Sequence, residues 1–397
     1  MPAPDSRLEG LGPWPFFDAD DARAVSDVLE SGRVNYWTGG EGKRFEKAFA
    51  GYVGTPHGIA LANGTLALEL ALRVLDIGEG DEVVVTPRSY FASASSIILS
   101  GARPVFADVD RDSQNLTAES VAAVLTPRTK AILPVHLAGW PCDMPALKAL
   151  ADANGIALIE DCAQAHGASI DGRSVGSFGD FGAFSFCQDK IMTTGGEGGF
   201  LTIRDERHWR DAWAFKDHGK NFDAVHHREH PLGFRWLHES VGTNWRLTEM
   251  QAVLGLRQLD RLEDWVAART RHAAIYDDVL AGLPAVRVPK PPEGFRHAYY
   301  KYYLFVREAA LASGWNRDRI MAEAVARGMP CFSGSCPEIY REKAITDLGL
   351  APPERLPVAR ELGETSLMLL VHPTLSTDQV QAMAETLAAV LKEATRR

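Results

Sequence analysis

The chain has 397 residues, 46% of them hydrophobic and 24% charged, with a net charge of −10. That length suits one large domain and a smaller one. The acidic balance argues against broad binding to nucleic acid or an anionic membrane, while leaving room for a local pocket that holds a phosphate.

The first residues, Met1-Pro2-Ala3-Pro4-Asp5, lack the basic and apolar parts of a signal peptide, and no run is long enough to span a bilayer. Five cysteines, an odd count, fit reduced thiols, so a cytoplasmic location is expected. Residues 1–17 read as an irregular arm. A helix is predicted over 18–30, with Val25, Val28 and Leu29 on one face. Gly58-Ile59-Ala60-Leu61 reads as a strand, and Ala62-Asn63-Gly64-Thr65 turns it into a helix over 66–75, apolar almost all round and therefore buried. The first turn of that helix offers unpaired N–H groups beside a glycine and a hydroxyl, which suits an anion. Thr65 as a plain helix cap is the equally weighted alternative.

A strand over 82–86 leads to a helix over 89–99 that opens with Tyr90 and Phe91. Strands over 104–107 and 131–135, a helix over 144–153 and a strand over 156–159 follow. This alternation argues for a mostly parallel sheet covered on both faces. At the end of the last of these strands stands Glu160-Asp161-Cys162-Ala163-Gln164, on the edge where open α/β sheets gather ligands. A carboxylate there either caps a helix or holds a cation.

Next, a short apolar strand brings up Ser185, and Lys190 follows five residues later. The glycine-rich turn over 195–199 then enters a strand over 200–203. Most lysines are solvated surface charges, but one held desolvated at such a junction is what Schiff-base chemistry requires. Lys190, Asp161 and the anion cup together make the three points that a phosphorylated heterocyclic aldehyde needs.

Residues 215–240 read as a long loop with five histidines, at 218, 226, 227, 230 and 238. Their spacing matches no helical zinc motif, so a mobile active-site loop is expected rather than a metal site. Cys331 and Cys336 also lack zinc-ribbon spacing. Thr248-Glu249-Met250-Gln251 fits a capping box and opens a long amphipathic helix reaching Leu280. An aromatic strand over 299–306 and a final helix over 377–392 complete the chain. The expected division is an arm and large domain over 1–262 and a small C-terminal domain over 263–397.

Several stretches, in order, resemble one family. They are Asn63-Gly64-Thr65, the run 101–108, His136-Leu137-Ala138-Gly139, the run 160–167, Phe184-Ser185-Phe186, Lys190 with Gly196-Glu197-Gly198-Gly199, and Asn244-Trp245-Arg246. The family is DegT/DnrJ/EryC1/StrS, fold-type I, pyridoxal-phosphate-dependent aminotransferases of nucleotide-linked keto-sugars. The resemblance implies an α/β, aspartate-aminotransferase-like large domain on a mostly parallel seven-stranded sheet, plus a smaller α+β C-terminal domain. It implies that Lys190 forms an internal aldimine with pyridoxal 5'-phosphate and carries the proton. Asp161 would pair with the pyridine nitrogen and Gln164 with the phenolic oxygen. Tyr90 would stack on the ring, with Phe91 its buried neighbour, and Gly64, Thr65 and Ser185 would hold the phosphate. Asn244 would reach the partner subunit's phosphate, implying a homodimer with shared sites.

By the same resemblance, L-glutamate is the amino donor, pyridoxamine 5'-phosphate the intermediate, and the kinetics ping-pong. The expected acceptor is a 4-keto-6-deoxyhexose on a nucleoside diphosphate, in deoxyamino-sugar biosynthesis of the lipopolysaccharide or antibiotic kind. Two alternatives stand beside it: amination of a cyclitol or other ring ketone, suggested by Trp14-Pro15 and Asn35-Tyr36-Trp37-Thr38, and a non-catalytic regulatory role. Lys190 speaks against the latter. It also separates the chain from dehydratase relatives, which carry histidine there. Many relatives carry a His-Tyr-x-Pro-like segment where this chain has the run 329–336, which is expected to border the substrate.

Overall fold

A computed structural model describes residues 5–396. Seven short strands form one sheet: β1 (His57–Leu61), β2 (Glu82–Val85), β3 (Arg103–Phe106), β4 (Thr129–Leu133), β5 (Ala157–Asp161), β6 (Phe181–Ser185) and β7 (Gly199–Ile203). Their order is β1-β7-β6-β5-β4-β2-β3. Within this sheet β7 alone breaks the parallel pattern, pairing antiparallel with both β1 and β6. Side chains alternate across the pleat, so one strand feeds two cores. Val83 and Val85 of β2 join a cluster with Leu68, Ile97 and Trp213, whereas Val84 joins Ile132, Met144 and Leu158 on the opposite face. Burial on both sides explains why these strands read as unbroken apolar runs.

Helix ends differ from the sequence expectation for local reasons. In α1 (Ala19–Glu30), Asp18 and Asp21 form a capping box, and Asp21 is the buried residue. Val25 and Val28 of the expected face are only half-buried, and Leu29 is 54% exposed. What holds α1 is charge: Asp21 accepts from Arg257 Nε at 2.6 Å and from Arg261 Nη1 at 2.8 Å. The helix α2 (Glu41–Val53) was not expected. Gly54, at φ +83°, ends it, and Phe45, Phe49 and Val53 pack at four-residue spacing among Phe184, Phe186 and Phe200. Helix α3 (Gly64–Val74) begins two residues before the expected start because Asn63 caps it. Helix α4 (Ala92–Leu99) begins three residues late, leaving Ser89, Tyr90 and Phe91 in the chain that approaches it. The expected loop over 215–240 is partly helical: Glu206–Lys216 runs into it, and Phe222–His226 lies within it, capped by Asn221.

The helix Glu249–Leu280 starts at the predicted capping box and runs 32 residues. Ala252, Leu262 and Val266 belong to the core beneath β6 and β7. Ala273, Tyr276 and Leu280 belong to another, built on the antiparallel strands Val286–Arg287, Tyr302–Val306 and Ser366–Leu369 and the helix Thr377–Ala394. The aromatic strand starts at Tyr302 rather than 299, because Tyr299 adopts φ +48° and leaves the extended region.

Candidate active site

The C-terminal ends of the parallel strands open onto a cavity of about 800 Å³. Gly64, Thr65, Tyr90, Asp161, Gln164, Ser185 and Lys190 all line it. Of the residues singled out from sequence, Asn244 stands apart: it is exposed and bridges to Asp217.

The expected anion cup is built by close backbone packing. Asn63 Oδ1 accepts from Leu66 N at 3.0 Å, so Asn63 is the cap and Thr65 is not. A Cβ on Gly64 would stand 2.6 Å from Ser185 Cβ, and one on Gly199 would stand 2.1 Å from the Asn63 carbonyl oxygen. Glycine at both positions lets the start of α3 settle onto the ends of β6 and β7, and this brings the Ser185 hydroxyl to the helix's unpaired N–H groups.

Asp161 ends β5 and is buried. Its Oδ2 accepts from Ser93 Oγ at 2.7 Å, and its Oδ1 from Ala163 N at 3.1 Å. Ser93 Oγ in turn lies 3.0 Å from Ser89 Oγ. Burial pushes the Asp161 carboxyl above the usual range, while the Ser93 hydroxyl, the Ala163 N–H and the charge on Lys190 pull the other way. Gln164 Oε1 accepts from Ala138 N at 2.8 Å, which leaves its amide nitrogen as the free donor. Tyr90 is 71% exposed, its ring open on the cavity wall, and Phe91 is half-buried rather than buried, packing against the core behind it.

Lys190 is fixed through its backbone. Its carbonyl accepts from Trp14 Nε1 at 2.9 Å, and its N–H donates to the Cys187 carbonyl at 3.1 Å. Its amine lies 5.1 Å from the centre of the Tyr300 ring, whose hydroxyl donates to the Asp189 carboxylate. The segment over 329–336 does border the cavity, through Phe332, Gly334, Ser335 and Cys336.

Sequence reasoning missed Ser93, Tyr300 and Lys301. Serines four apart in an otherwise apolar helix start are the one signal that could have pointed to Ser93.

Two groups of potential metal ligands have other duties. His136, Glu160 and Cys162 crowd together in the core. Glu160 accepts from the N–H groups of Gly176, Phe178 and Gly179 and sits 3.1 Å from His136 Nε2, while His136 Nδ1 accepts from Cys142 N. The cluster thus ties strand ends to loops. Of the loop histidines, His226 packs against Phe222 and Trp213, and His230 bonds the Ala224 carbonyl.

The sequence pattern of the DegT/DnrJ/EryC1/StrS aminotransferase family matches residues 15–388. The chain belongs to that family. With membership comes the enzyme class, a pyridoxal-phosphate-dependent transaminase. The chain is 36% identical over 370 residues to the UDP-N-acetyl-3-dehydro-alpha-D-glucosamine 3-aminotransferase of Acidithiobacillus ferrooxidans, covering 92% of each. It is 37% identical over 349 residues to the GDP-perosamine synthase of Caulobacter vibrioides, covering 87% of this chain and 89% of that one. A solved aminotransferase from Psychrobacter cryohalolentis superposes with a TM-score of 0.95 at 55% identity, covering 97% of this chain and 99% of its own. The fold is therefore that of the fold-type I enzymes, as expected.

Proposed function

We propose that this aminotransferase moves an amino group from L-glutamate to a ketone carbon of a sugar carried on a nucleoside diphosphate, with pyridoxal phosphate held in the large cavity. One observation carries the reading: a lysine, a buried carboxylate and an anion cup from three separate strand ends share a single cavity wall.

The residues fit the cofactor. Gly64 and Thr65 supply N–H donors and Ser185 a hydroxyl for its phosphate. Asp161 is a buried carboxylate that forms no ion pair among the described residues, and an N–H⁺ placed against it would relieve the cost of that burial. The free amide nitrogen of Gln164 donates to the ring oxygen, and Tyr90 covers the ring face. When bound, the cofactor supplies an aldehyde carbon and an electron-withdrawing ring.

This chain's residues do the rest. Lys190 would provide the amine that holds the cofactor's aldehyde carbon and would carry a proton to and from the substrate carbon. Asp161 would hold the proton on the ring nitrogen. Tyr300 packs beside the half-buried Lys190 amine and covers one side of it. Donor and acceptor use the same lysine in turn, which gives ping-pong kinetics.

The acceptor class rests on the two relatives, one named for a UDP-sugar and the other for GDP-perosamine. Within that class we assign a 4-keto-6-deoxyhexose. We also assign a homodimer in which Asn244 serves the partner's phosphate site. In support, Asn244 is exposed, and the segment leading to it exposes Leu232, Phe234, Trp236 and Val241.

The test is a visible spectrum of the cofactor-loaded protein, followed as L-glutamate and then a panel of nucleotide keto-sugars and keto-cyclitols are added. The band should bleach with glutamate and return with a nucleotide keto-sugar. Return with a keto-cyclitol alone would reassign the acceptor, and an unresponsive band would refute catalysis.

A further inference from the structure

A smaller chamber of about 190 Å³ adjoins the large cavity, sharing Asp189, Tyr300, Lys301 and Leu370 with it. Trp14, Arg269 and His372 help close it. Arg269, on the long helix, is fully buried, and among the described residues it forms no ion pair. Its Nη1 donates to the carbonyls of Tyr299 at 3.3 Å and Tyr300 at 3.1 Å and its guanidinium lies over the Trp14 ring, 4.9 Å from the centre, whereas Nε and Nη2 have no hydrogen-bond partner. Buried donors left unpaired on a charged group are rare and costly. These two share one edge of the guanidinium, the fork that receives both oxygens of a carboxylate.

A second cation faces the same chamber. Lys301 Nζ lies 4.9 Å from the centre of the Tyr300 ring, and Lys190 Nζ lies 5.1 Å from that same centre. The two amines are therefore no more than about 10 Å apart. Burial pulls the Lys301 amine down to about 8 against the attraction of Asp189. Burial likewise drives His372 down to about 3, so that imidazole is neutral and bonds Thr374 Oγ1 at 2.8 Å. Asp189 is the one acid in the wall, and its carboxylate is taken by the Tyr300 hydroxyl at an exposed position.

We infer that Arg269 and Lys301 form the subsite that grips a carboxylate of the amino donor, a dicarboxylic amino acid, and of the 2-oxo acid it leaves as. The inference rests on the transaminase reading above and adds the donor's anchor to it. The chamber's size selects the ligand: a carboxylate with its methylene stem fits, and a nucleoside diphosphate does not. A carboxyl-bearing acceptor shares this chemistry, so the experiment separates the two sources.

The cofactor-loaded protein is compared with Arg269→Lys, which keeps charge but loses the fork, and with Lys301→Gln. Glutarate, a dicarboxylate without an amine, is titrated calorimetrically. Separately, the glutamate concentration giving half-maximal bleaching of the visible band is measured. Glutarate should bind the unmodified protein, and both variants should weaken it at least tenfold. Half-saturation by glutamate should rise at least thirtyfold in Arg269→Lys and tenfold in Lys301→Gln, with the limiting rate within a few-fold and the cofactor band unchanged.

Absence of glutarate binding, or unchanged half-saturation in both variants while the unmodified protein responds, overturns the subsite and leaves the transaminase reading standing. A rise in half-saturation confined to the acceptor also overturns it. Failure of the unmodified protein to respond to glutamate counts against the transaminase reading instead, and the glutarate titration still decides the subsite. Should Arg269→Lys fail to fold by circular dichroism, Lys301→Gln carries both readouts.

Discussion

Gly64→Ala and Gly51→Ala are the same substitution in two helices, and opposite results are expected. Gly51 lies on the exposed side of α2, with nothing within 4 Å of an added methyl group, so alanine there should stabilise the protein by roughly 0.5–1 kcal/mol through helix propensity. At Gly64 the methyl carbon would stand 2.6 Å from Ser185 Cβ and 3.0 Å from Ser185 Cα. Ordinary carbon contacts lie near 3.5–4.0 Å, so the overlap is about 1 Å. Both neighbours are near-backbone atoms of β6 and cannot swing away. The start of α3 must lift off the strand, at an overpacking cost of about 1–3 kcal/mol. The lift also moves the Gly64 and Thr65 N–H groups away from Ser185. Losing one hydrogen bond to a phosphate oxygen costs about 1.5–3 kcal/mol, or roughly ten- to a hundredfold in cofactor affinity. Urea midpoints of the cofactor-free proteins and absorbance titrations with pyridoxal phosphate measure the two effects separately. If Gly64→Ala stabilised the chain as Gly51→Ala does and bound cofactor normally, the cup would not be the tight structure described.

Other expectations follow from the same geometry. Because burial raises the folded-state pKa of Asp161, ionising it costs stability in the cofactor-free protein as pH rises from the ordinary carboxylate pKa, near 4, through the raised value. Asp161→Asn should therefore be the more stable apoprotein at pH 7.5, with the advantage shrinking towards pH 4, while losing transamination; equal urea midpoints at both pH values would contradict this. Ser93→Ala removes one of the two donors on Asp161 and should slow turnover with glutamate by about tenfold, given about 1.5 kcal/mol for a hydrogen bond to a charged group. Unchanged turnover would make Ser93 a packing residue only. At Asp21, burial raises the pKa, but Arg261, the Asp18 N–H and Arg257 outweigh it and the net shift is downward. Its contribution is present above the ordinary carboxylate pKa and lost as pH falls through the folded value. Because both arginines are partly exposed, Asp21→Asn should cost only about 1 kcal/mol at pH 7, read as a lowered urea midpoint. It should cost less at pH 3.

The parts of the site carried by local sequence were readable in advance. Asp161 closes an apolar strand, Lys190 follows another, and Asn63-Gly64-Thr65 joins a strand to a helix. The sheet was readable for the same reason, since each strand is a short run buried on both faces. Contacts between distant segments were not readable. Ser93 matters because α4 packs across the end of β5. Arg269 looks like any arginine of a long amphipathic helix until Tyr299 leaves the extended region and turns two carbonyls towards it. Helix α2 went unseen because glycines at 42 and 51 and the charged residues between them dilute a pattern that only Phe45, Phe49 and Val53 sustain. The histidine-bearing stretch looked like a loop because the helix within it, Phe222–His226, is only five residues long and is set by the cap Asn221.

Borohydride reduction of the pyridoxal-phosphate-loaded protein fixes the cofactor to whichever amine holds it, and peptide mass spectrometry then reads the position. The phosphopyridoxyl mass is predicted on the peptide containing Lys190, and its yield should collapse in Lys190→Ala. Label carried instead by Lys301, half-buried in the same cavity wall, or by the buried Lys216 would contradict the assignment of Lys190.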